Sequence, residues 1–396
     1  MHICHVWHNF VPFQIGGLER YIMELSFFIS GKSPSFCFTV LTDRCMVPLV
    51  RQREIPKRQD FRGIQVCRLG PNLVSVLKGI LFKFFRLNSG FLDKLLILSL
   101  YREAISCEQV KNADVFHVHG LWFVQYPTIG LWLSQHFHKP IVVSLHGDSV
   151  NEGDGSMQIK TEEMLTLLRQ ASVIITYSQS VFSFLNKLGL SSKSHVIPNF
   201  VDTSQFLRKS PPASSSLGKR LVVVSRLDAF KDPWTILRAF GLARKEIPSA
   251  KLTIVGDGPL YGELKALSKE LNLEDSVSFV GRREDVRFFL EGSDIFVATR
   301  AGYIAALEAW CMGLAVIAPN SGIFSEIMLD GENVLFFPNH DSAFLSKAMI
   351  RLMSDNNLRE KLSTNGVKSS ESYDIHNVAP RIEEIYCSLK SRDLLI

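Results

Sequence analysis

The 396-residue chain lacks most of the features that would settle its class at once. Its seven cysteines, Cys4, Cys37, Cys45, Cys67, Cys107, Cys311 and Cys387, include no C-x-x-C pair. An odd, scattered set supplies neither a disulfide framework nor a zinc site and fits a reducing compartment. No apolar run reaches the roughly 18 residues that span a bilayer. The opening MHICHVWH has neither the basic start nor the apolar stretch of a signal peptide and reads as a strand. The expected location is therefore cytoplasmic, with any membrane contact peripheral, on the inner face. There is no G-x-G-x-x-G dinucleotide fingerprint, no D-x-D metal motif and no repeat at solenoid periods.

Charge is nearly balanced overall, at 44 basic against 39 acidic side chains, but not along the chain. Between Arg44 and Arg102 stand 12 basic and 3 acidic residues. There the stretch LVSVLKGILFKFFRL mixes bulky apolar side chains with Lys78, Lys83 and Arg86, a combination that suits an anionic lipid surface or, alternatively, an ordinary amphipathic helix. Nucleic acid is not expected, because no recognised nucleic-acid module accompanies the charge.

Short β-branched or apolar runs alternate with helical patterns: FTVLT, DVFHVHG, IVVSLHG and SVIITYS, then RLVVVSR, KLTIVG, DIFVAT and LAVIAP. The later ones are too apolar for one-faced strands and suit parallel sheets covered on both sides. This is an α/β chain, doubly wound, and its length asks for two domains. The Pro/Ser-rich interval before Lys219 marks the join: residues 1–205 form a first domain, 206–218 a linker, 219–375 a second domain and 376–396 a final helix.

In such sheets ligands bind beyond the carboxyl ends of strands, where loops open into helix N-termini. Gly16 and Gly17, in PFQIGGLERYIMEL, follow the first strand and let backbone amides approach a phosphate or sugar; a plain tight turn is the alternative. HVHG places His117 and His119 at one strand end, where two histidines could bind a metal, but the further ligands a zinc site needs cannot be placed and rim hydrogen bonding is the expected role. VVSLHGD places His146 at another. Arg226 and Lys231 stand past an apolar strand and before a helix starting near Asp232-Pro233, which suits a diphosphate; solvated surface charge is the alternative. Gly256 and Gly258, in LTIVGDGPL, form a turn after the next strand. Glu308 sits among small and apolar residues in VATRAGYIAALEAWCMGLAVIAP, where an unpartnered carboxylate is costly.

Taken in order, strand-GG-helix, S-L-H-G, S-R-L-x-x-x-K-D, V-G-D-G-P, L-E-A-x-x-x-G-x-x-V-I-A and S-G-x-x-x-E-I resemble the retaining nucleotide-sugar glycosyltransferases of family 4, which have the GT-B fold. The resemblance covers nearly the whole chain. It implies two Rossmann-like doubly wound domains facing a cleft, a final helix crossing back to the first domain, and no metal or other cofactor. It makes Arg226 and Lys231 the diphosphate clamp, puts Gly16, Gly17 and Gly256 near the donor and His146 near the transferred sugar, and gives Glu308 the nucleotide ribose. Glu308 is also expected to benefit from the N-terminal field of the helix it begins, or else to serve as a cap or internally paired carboxylate. The implied partners are a nucleotide-diphosphate sugar donor, a glycan or lipid-linked acceptor and an anionic membrane surface. Arg300 departs from the pattern, since the family usually has a glutamate there. The implied activity is hexosyl transfer in polysaccharide, lipopolysaccharide or glycolipid biosynthesis; a catalytically silent relative that binds nucleotide or glycan is the alternative.

Overall fold

The computed structural model describes residues 1–8, 10, 16–43, 55–70, 90–121, 125–146, 161–207 and 218–393. The basic apolar stretch around Lys78 to Arg86, Gly147, Asp148 and most of the expected linker lie outside them. The chain divides into two compact units: Met1–Pro198 with Val378–Ile396, and Asn199–Asn377.

In the first unit the described strands form one sheet. They are β1 (His2–Val6), β2 (Cys37–Asp43), β3 (Arg58–Phe61), β4 (Ile64–Leu69), β5 (Val115–His119), β6 (Ile141–Leu145), β7 (Val173–Thr176) and β8 (Ser194–Val196). The order is β3-β4-β2-β1-β5-β6-β7-β8, parallel throughout except for the β3–β4 hairpin. Chain order reverses across β1 and β5, the switch point at which doubly wound sheets open to ligands. Every residue of β5 and β6 is buried, as the apolar runs require. The hairpin was not evident in the sequence: RQDF and IQVCRL are mixed polar runs, the first partly exposed at the sheet edge and the second buried except at Gln65.

The second unit holds β9 (Arg220–Val224), β10 (Lys251–Val255), β11 (Val277–Gly281), β12 (Ile295–Val297), β13 (Ala315–Pro319) and β14 (Leu335–Phe337) in the order β11-β10-β9-β12-β13-β14, all parallel. Its switch point lies between β9 and β12. Leu221, Val223, Leu237, Phe240, Leu252 and Ile295 are each 1% exposed or less and belong to the core beneath it. On the 25 cal/mol per Å² scale, burying one such side chain contributes about 1.5–3 kcal/mol.

The two divisions of the chain have local causes. After Pro198, Val201 bridges Asp374, accepts from the Ile375 amide at 3.0 Å and donates to Tyr373 at 2.9 Å. The Asp374 carboxylate also takes the Thr203 hydroxyl and amide. Residues from Asn199 thus group with the second unit. The helix Ile375–Asp393 returns its length from Val378 to the first unit, where Glu383 accepts from the Ser33 hydroxyl at 2.6 Å and Arg381 donates to the Val196 carbonyl at 2.7 Å.

Candidate active site

In the second unit the carboxyl ends of β9, β10 and β12 gather one group of residues. Ser225 and Thr299, each just past its strand, are joined through their hydroxyls at 2.9 Å. A Cβ on Gly256, whose φ is +148°, would stand 1.8 Å from the Ser225 carbonyl oxygen. A Cβ on Gly258 would stand 2.4 Å from that of Leu227. These two glycines therefore let the β10 turn lie directly against the loop that carries Arg226, and that close approach accounts for both.

Arg226 is exposed, and its Nε donates to Asp228 at 2.5 Å. Asp228 also caps the short turn Ala229–Lys231 by accepting from the Lys231 amide at 3.1 Å. Lys231 is half-buried and its Nζ donates to the Ala301 carbonyl at 2.9 Å. The following helix, Pro233–Glu246, starts where the sequence places it, with Asp232 left-handed before a proline at the first helical position. Asp232 accepts from the Thr235 hydroxyl and faces His340 Nδ1, both at 2.7 Å.

Arg300 lies beside this group. Its guanidinium carbon is 4.7 Å from the centre of the Phe230 ring, and Lys231 Nζ is 5.6 Å from the same centre. Among the described residues Arg300 has no carboxylate within ion-pair distance. Lys231, Thr235, Thr299, Arg300, Asn339 and His340 line one depression. Two cations sharing an aromatic face leave a local positive field that an anion would relieve.

Glu308 requires a correction. The helix containing it is Tyr303–Cys311, capped by Gly302 without any side-chain bond. Glu308 is thus in its second turn and does not begin it, so the expected N-terminal field and a capping role both fall away. RAGYIAALE contains none of the Ser, Thr, Asp or Asn that would announce the true start. The carboxylate is nonetheless 4% exposed, on the face shared with the half-buried Ile304 and Cys311.

In the first unit Gly16 and Gly17 do open a helix, Gly17–Lys32. Sequence reasoning missed what holds that turn. Glu19, 3% exposed, accepts from the Gly16 amide at 2.7 Å through Oε2 and from Trp7 Nε1 at 2.9 Å through Oε1. The Gly16 amide is therefore already bonded to a carboxylate and is not open to a phosphate. A Cβ at Gly16 would sit 2.7 Å from Glu19 Oε2, so a side chain there would have to displace that carboxylate. The signal was present, since a glutamate three residues after a helix cap is half of a capping box.

His146 ends β6 and is half-buried, in edge contact with the Tyr21 ring at 5.0 Å. Behind it runs a buried chain of imidazoles. His146 Nε2 is 3.1 Å from His119 Nδ1, His119 Nε2 is 2.8 Å from His5 Nδ1, and His5 Nε2 is 3.4 Å from Ser26 Oγ. The Ser26 hydroxyl gives its proton to the Ile22 carbonyl at 2.7 Å, so toward His5 it can only accept. That fixes the polarity: His5 carries its proton on Nε2, His119 donates through Nε2 to His5, and His146 donates through Nε2 to His119. His146 therefore carries its proton on Nε2, facing His119.

Burial holds the His5 imidazole down to about 3, and burial with neighbouring imidazoles holds His117 and His119 well below their ordinary value. All three are neutral at neutral pH. The chain orients His146 and cannot carry a proton inward, because the inner rings resist charge.

His5, His117 and His119 bring ligand atoms within 4.8 Å of one another, which supplies the third histidine that the HVHG pair lacked. β1 and β5 pair with His5 opposite His117, a juxtaposition invisible in linear order. Each ring nitrogen is already engaged, however: His117 Nδ1 faces the Tyr386 hydroxyl at 2.6 Å and Nε2 the Ser144 hydroxyl at 2.7 Å. A metal ion would have to break these bonds to enter.

Comparison with known proteins agrees with this architecture. Residues 56–205 match the family described as Glycosyltransferase Family 4, and residues 209–369 match Glycosyl transferases group 1. Among curated relatives, the chain is 24% identical over 302 residues to N-acetyl-alpha-D-glucosaminyl L-malate synthase of Bacillus anthracis, covering 73% of this chain and 78% of that one. It is likewise 24% identical over 326 residues to alpha-monoglucosyldiacylglycerol synthase of Streptococcus pneumoniae, covering 75% and 71%. Among solved structures, sucrose-phosphate synthase from Thermosynechococcus elongatus superposes with a TM-score of 0.76 at 18% identity, over 99% of both chains. Anabaena HepE in complex with UDP-glucose superposes at 0.72, also at 18% identity, over 98% of this chain and 100% of that one. With its two parallel-sheet α/β units, the chain belongs to the glycosyltransferase family 4-like proteins of the GT-B fold, and it is a sugar-transferring enzyme.

Proposed function

We propose that the protein is a metal-independent, retaining glycosyltransferase that takes a hexose from a nucleotide-diphosphate sugar and adds it to a glycan or lipid-linked acceptor. The observation that carries this is the pair Arg226 and Lys231 at the carboxyl end of β9, before the helix Pro233–Glu246. In this reading both cations neutralise the diphosphate leaving group, the work a metal does elsewhere. Gly256 holds the clamp loop in place, Glu308 accepts the ribose hydroxyls, and His146 stands near the transferred sugar. Gly17, exposed at its helix start, remains the amide of the Gly-Gly turn available to the donor. Support for the donor class comes from related folds solved with UDP and with UDP-glucose.

Arg300 sharpens the donor or acceptor class. A guanidinium cannot accept from sugar hydroxyls and stays charged, so an acidic sugar or phosphorylated acceptor is the expected match. The test is a panel of nucleotide sugars, neutral and uronic, assayed for slow donor hydrolysis or transfer with the parent and Arg300→Glu. The reading expects the parent to favour an acidic donor or acceptor and the variant to lose that preference. No turnover with any donor, alongside intact nucleotide binding, would favour a silent binding relative.

A lipid-linked acceptor places the enzyme at a membrane, reached by the basic apolar stretch around Lys78 to Arg86. Each basic residue near an anionic surface adds about 1 kcal/mol, and the attraction weakens with salt. Co-sedimentation with anionic but not neutral vesicles is the expected result; equal pelleting with both would remove the electrostatic part. No helix among the described residues is long and apolar enough to cross a membrane.

A further inference from the structure

A pair of cysteines lies apart from everything the transfer reaction uses. Cys67, in β4, is 3% exposed, and Cys107, just before the turn Glu108–Lys111, is 6% exposed. Their sulfurs are 2.9 Å apart. A disulfide needs about 2.0 Å, so the two atoms have less than about 1 Å to close. Gln109, half-buried, reaches both through Oε1, at 3.2 Å from Cys107 and 3.7 Å from Cys67.

The two thiols are chemically unequal. The sulfur contact with Cys67, the Val110 and Gln109 amides and the Arg58 charge outweigh burial and hold the Cys107 thiol below its ordinary range. The same sulfur contact, with burial, pushes Cys67 up. Of the two, Cys107 is the thiol that ionises more readily, with a second sulfur already in contact, the arrangement that thiol oxidation needs. Cys4, fully buried in β1, also acts electrostatically on this pair, but burial raises its own thiol and leaves it the poorer nucleophile.

We propose that Cys67 and Cys107 are a modification site: a dithiol that a hydroperoxide converts to a disulfide and a small dithiol reopens. The steps balance. The Cys107 thiolate attacks one peroxide oxygen, the O–O bond breaks, and hydroxide leaves, giving a sulfenic acid. Cys67 sulfur then attacks the Cys107 sulfur, the S–O bond breaks, and water leaves as the S–S bond forms. Two thiols lose two protons and two electrons, and one hydrogen peroxide becomes two waters. The bond would tie β4 to the Cys107 turn across 40 residues of sequence and close the stretch containing Lys78, Lys83 and Arg86 into a loop. In a reducing compartment the pair rests as thiols, so the bond records oxidant exposure.

The test uses the full chain, reduced and then treated with hydrogen peroxide. Remaining thiols are alkylated under denaturing conditions and the digest is mapped by mass spectrometry. The expected product is a Cys67–Cys107 cross-linked peptide two hydrogens lighter than its reduced halves, lost on treatment with dithiothreitol. The exposed Cys37 and Cys387 act as internal controls for oxidant delivery. Full alkylation of Cys67 and Cys107 while the controls are oxidised would overturn the proposal, as would a cross-link through Cys4 or a Cys107 that ends as sulfinic acid. The mapping needs no variant, so the folding of Cys67→Ser or Cys107→Ser does not decide it. In either variant that folds, the cross-link is expected to vanish, and its survival would mean the wrong pair was assigned.

Discussion

The two units place opposite chemistry at equivalent positions. At the switch point of the first, a hydrogen-bond chain runs from Ser26 through the buried, neutral imidazoles of His5 and His119 to the half-buried His146. At the switch point of the second, they end in cations carried on a backbone frame: Arg226 exposed, Lys231 half-buried on the Ala301 carbonyl, Arg300 over Phe230. The difference is energetic. The first rim is part of the core, so damage to it is damage to folding; the second rim stands above a separate core, so the exposed Arg226 can be removed at little cost to folding.

Acid should separate the units most strongly. The folded-state pKa values of His5, His117 and His119 lie below the unfolded value of 6.5, so between that pH and about 3 the unfolded chain binds more protons. Stability is complete above 6.5 and falls as pH drops, by up to about 1.4 kcal/mol per pH unit for each imidazole, or about 4 for all three. In the second unit burial raises the Asp374 carboxyl, but bonds from Thr203 and His376 outweigh it and hold it below its usual 3.8. That contribution is present above 3.8 and is lost only on further acidification. Hydrogen exchange followed by mass spectrometry is therefore expected to show the first unit opening near pH 5 while the second stays protected. Simultaneous loss of protection would break the comparison.

Next in size is the clamp. Arg226→Ala or Lys231→Ala should each remove about 1.5–3 kcal/mol of charge-assisted phosphate binding, a loss of about 10- to 150-fold in UDP or GDP affinity by calorimetry. The melting temperature should hardly change for Arg226→Ala, whose ion pair with Asp228 is solvent-exposed on the arginine side. Parent-like affinity in both variants would remove the clamp assignment.

The smallest effect should come from Ser26→Ala, which removes the acceptor that sets the polarity of the imidazole chain. A stability loss of about 1 kcal/mol is expected. The diagnostic readout is nitrogen NMR of labelled histidine, where the His146 proton should move from Nε2 toward Nδ1, with nucleotide affinity unchanged. An unaltered tautomer would show that Ser26 does not set the polarity.

What the sequence revealed and what it hid follow from the same geometry. Fully buried parallel strands such as RLVVVSR and LAVIAP are legible because both faces are apolar; β3 and β4 are not, since an edge hairpin tolerates Arg58, Gln59 and Asp60. His146, Arg226 and Lys231 could be placed from strand ends alone. Glu19 escaped because its partner Trp7 lies across a Gly-Gly turn, and His5 because its partner is 114 residues away. Glu308 was misplaced by a helix that begins without a polar cap. The contacts that define this site are mostly contacts between strands, and linear order does not record them.

The bond between His117 and Tyr386, 2.6 Å long and spanning 269 residues, also sets a timetable. On the ribosome the histidines of β1 and β5 emerge early, whereas Tyr386 emerges only after the entire second unit has been made. Domains generally fold as they are synthesised, amino-terminal first. This chain works against that rule: its first sheet has an unfinished polar interior until the helix Ile375–Asp393 arrives. A segment translated after the second unit thus completes a structure begun before it.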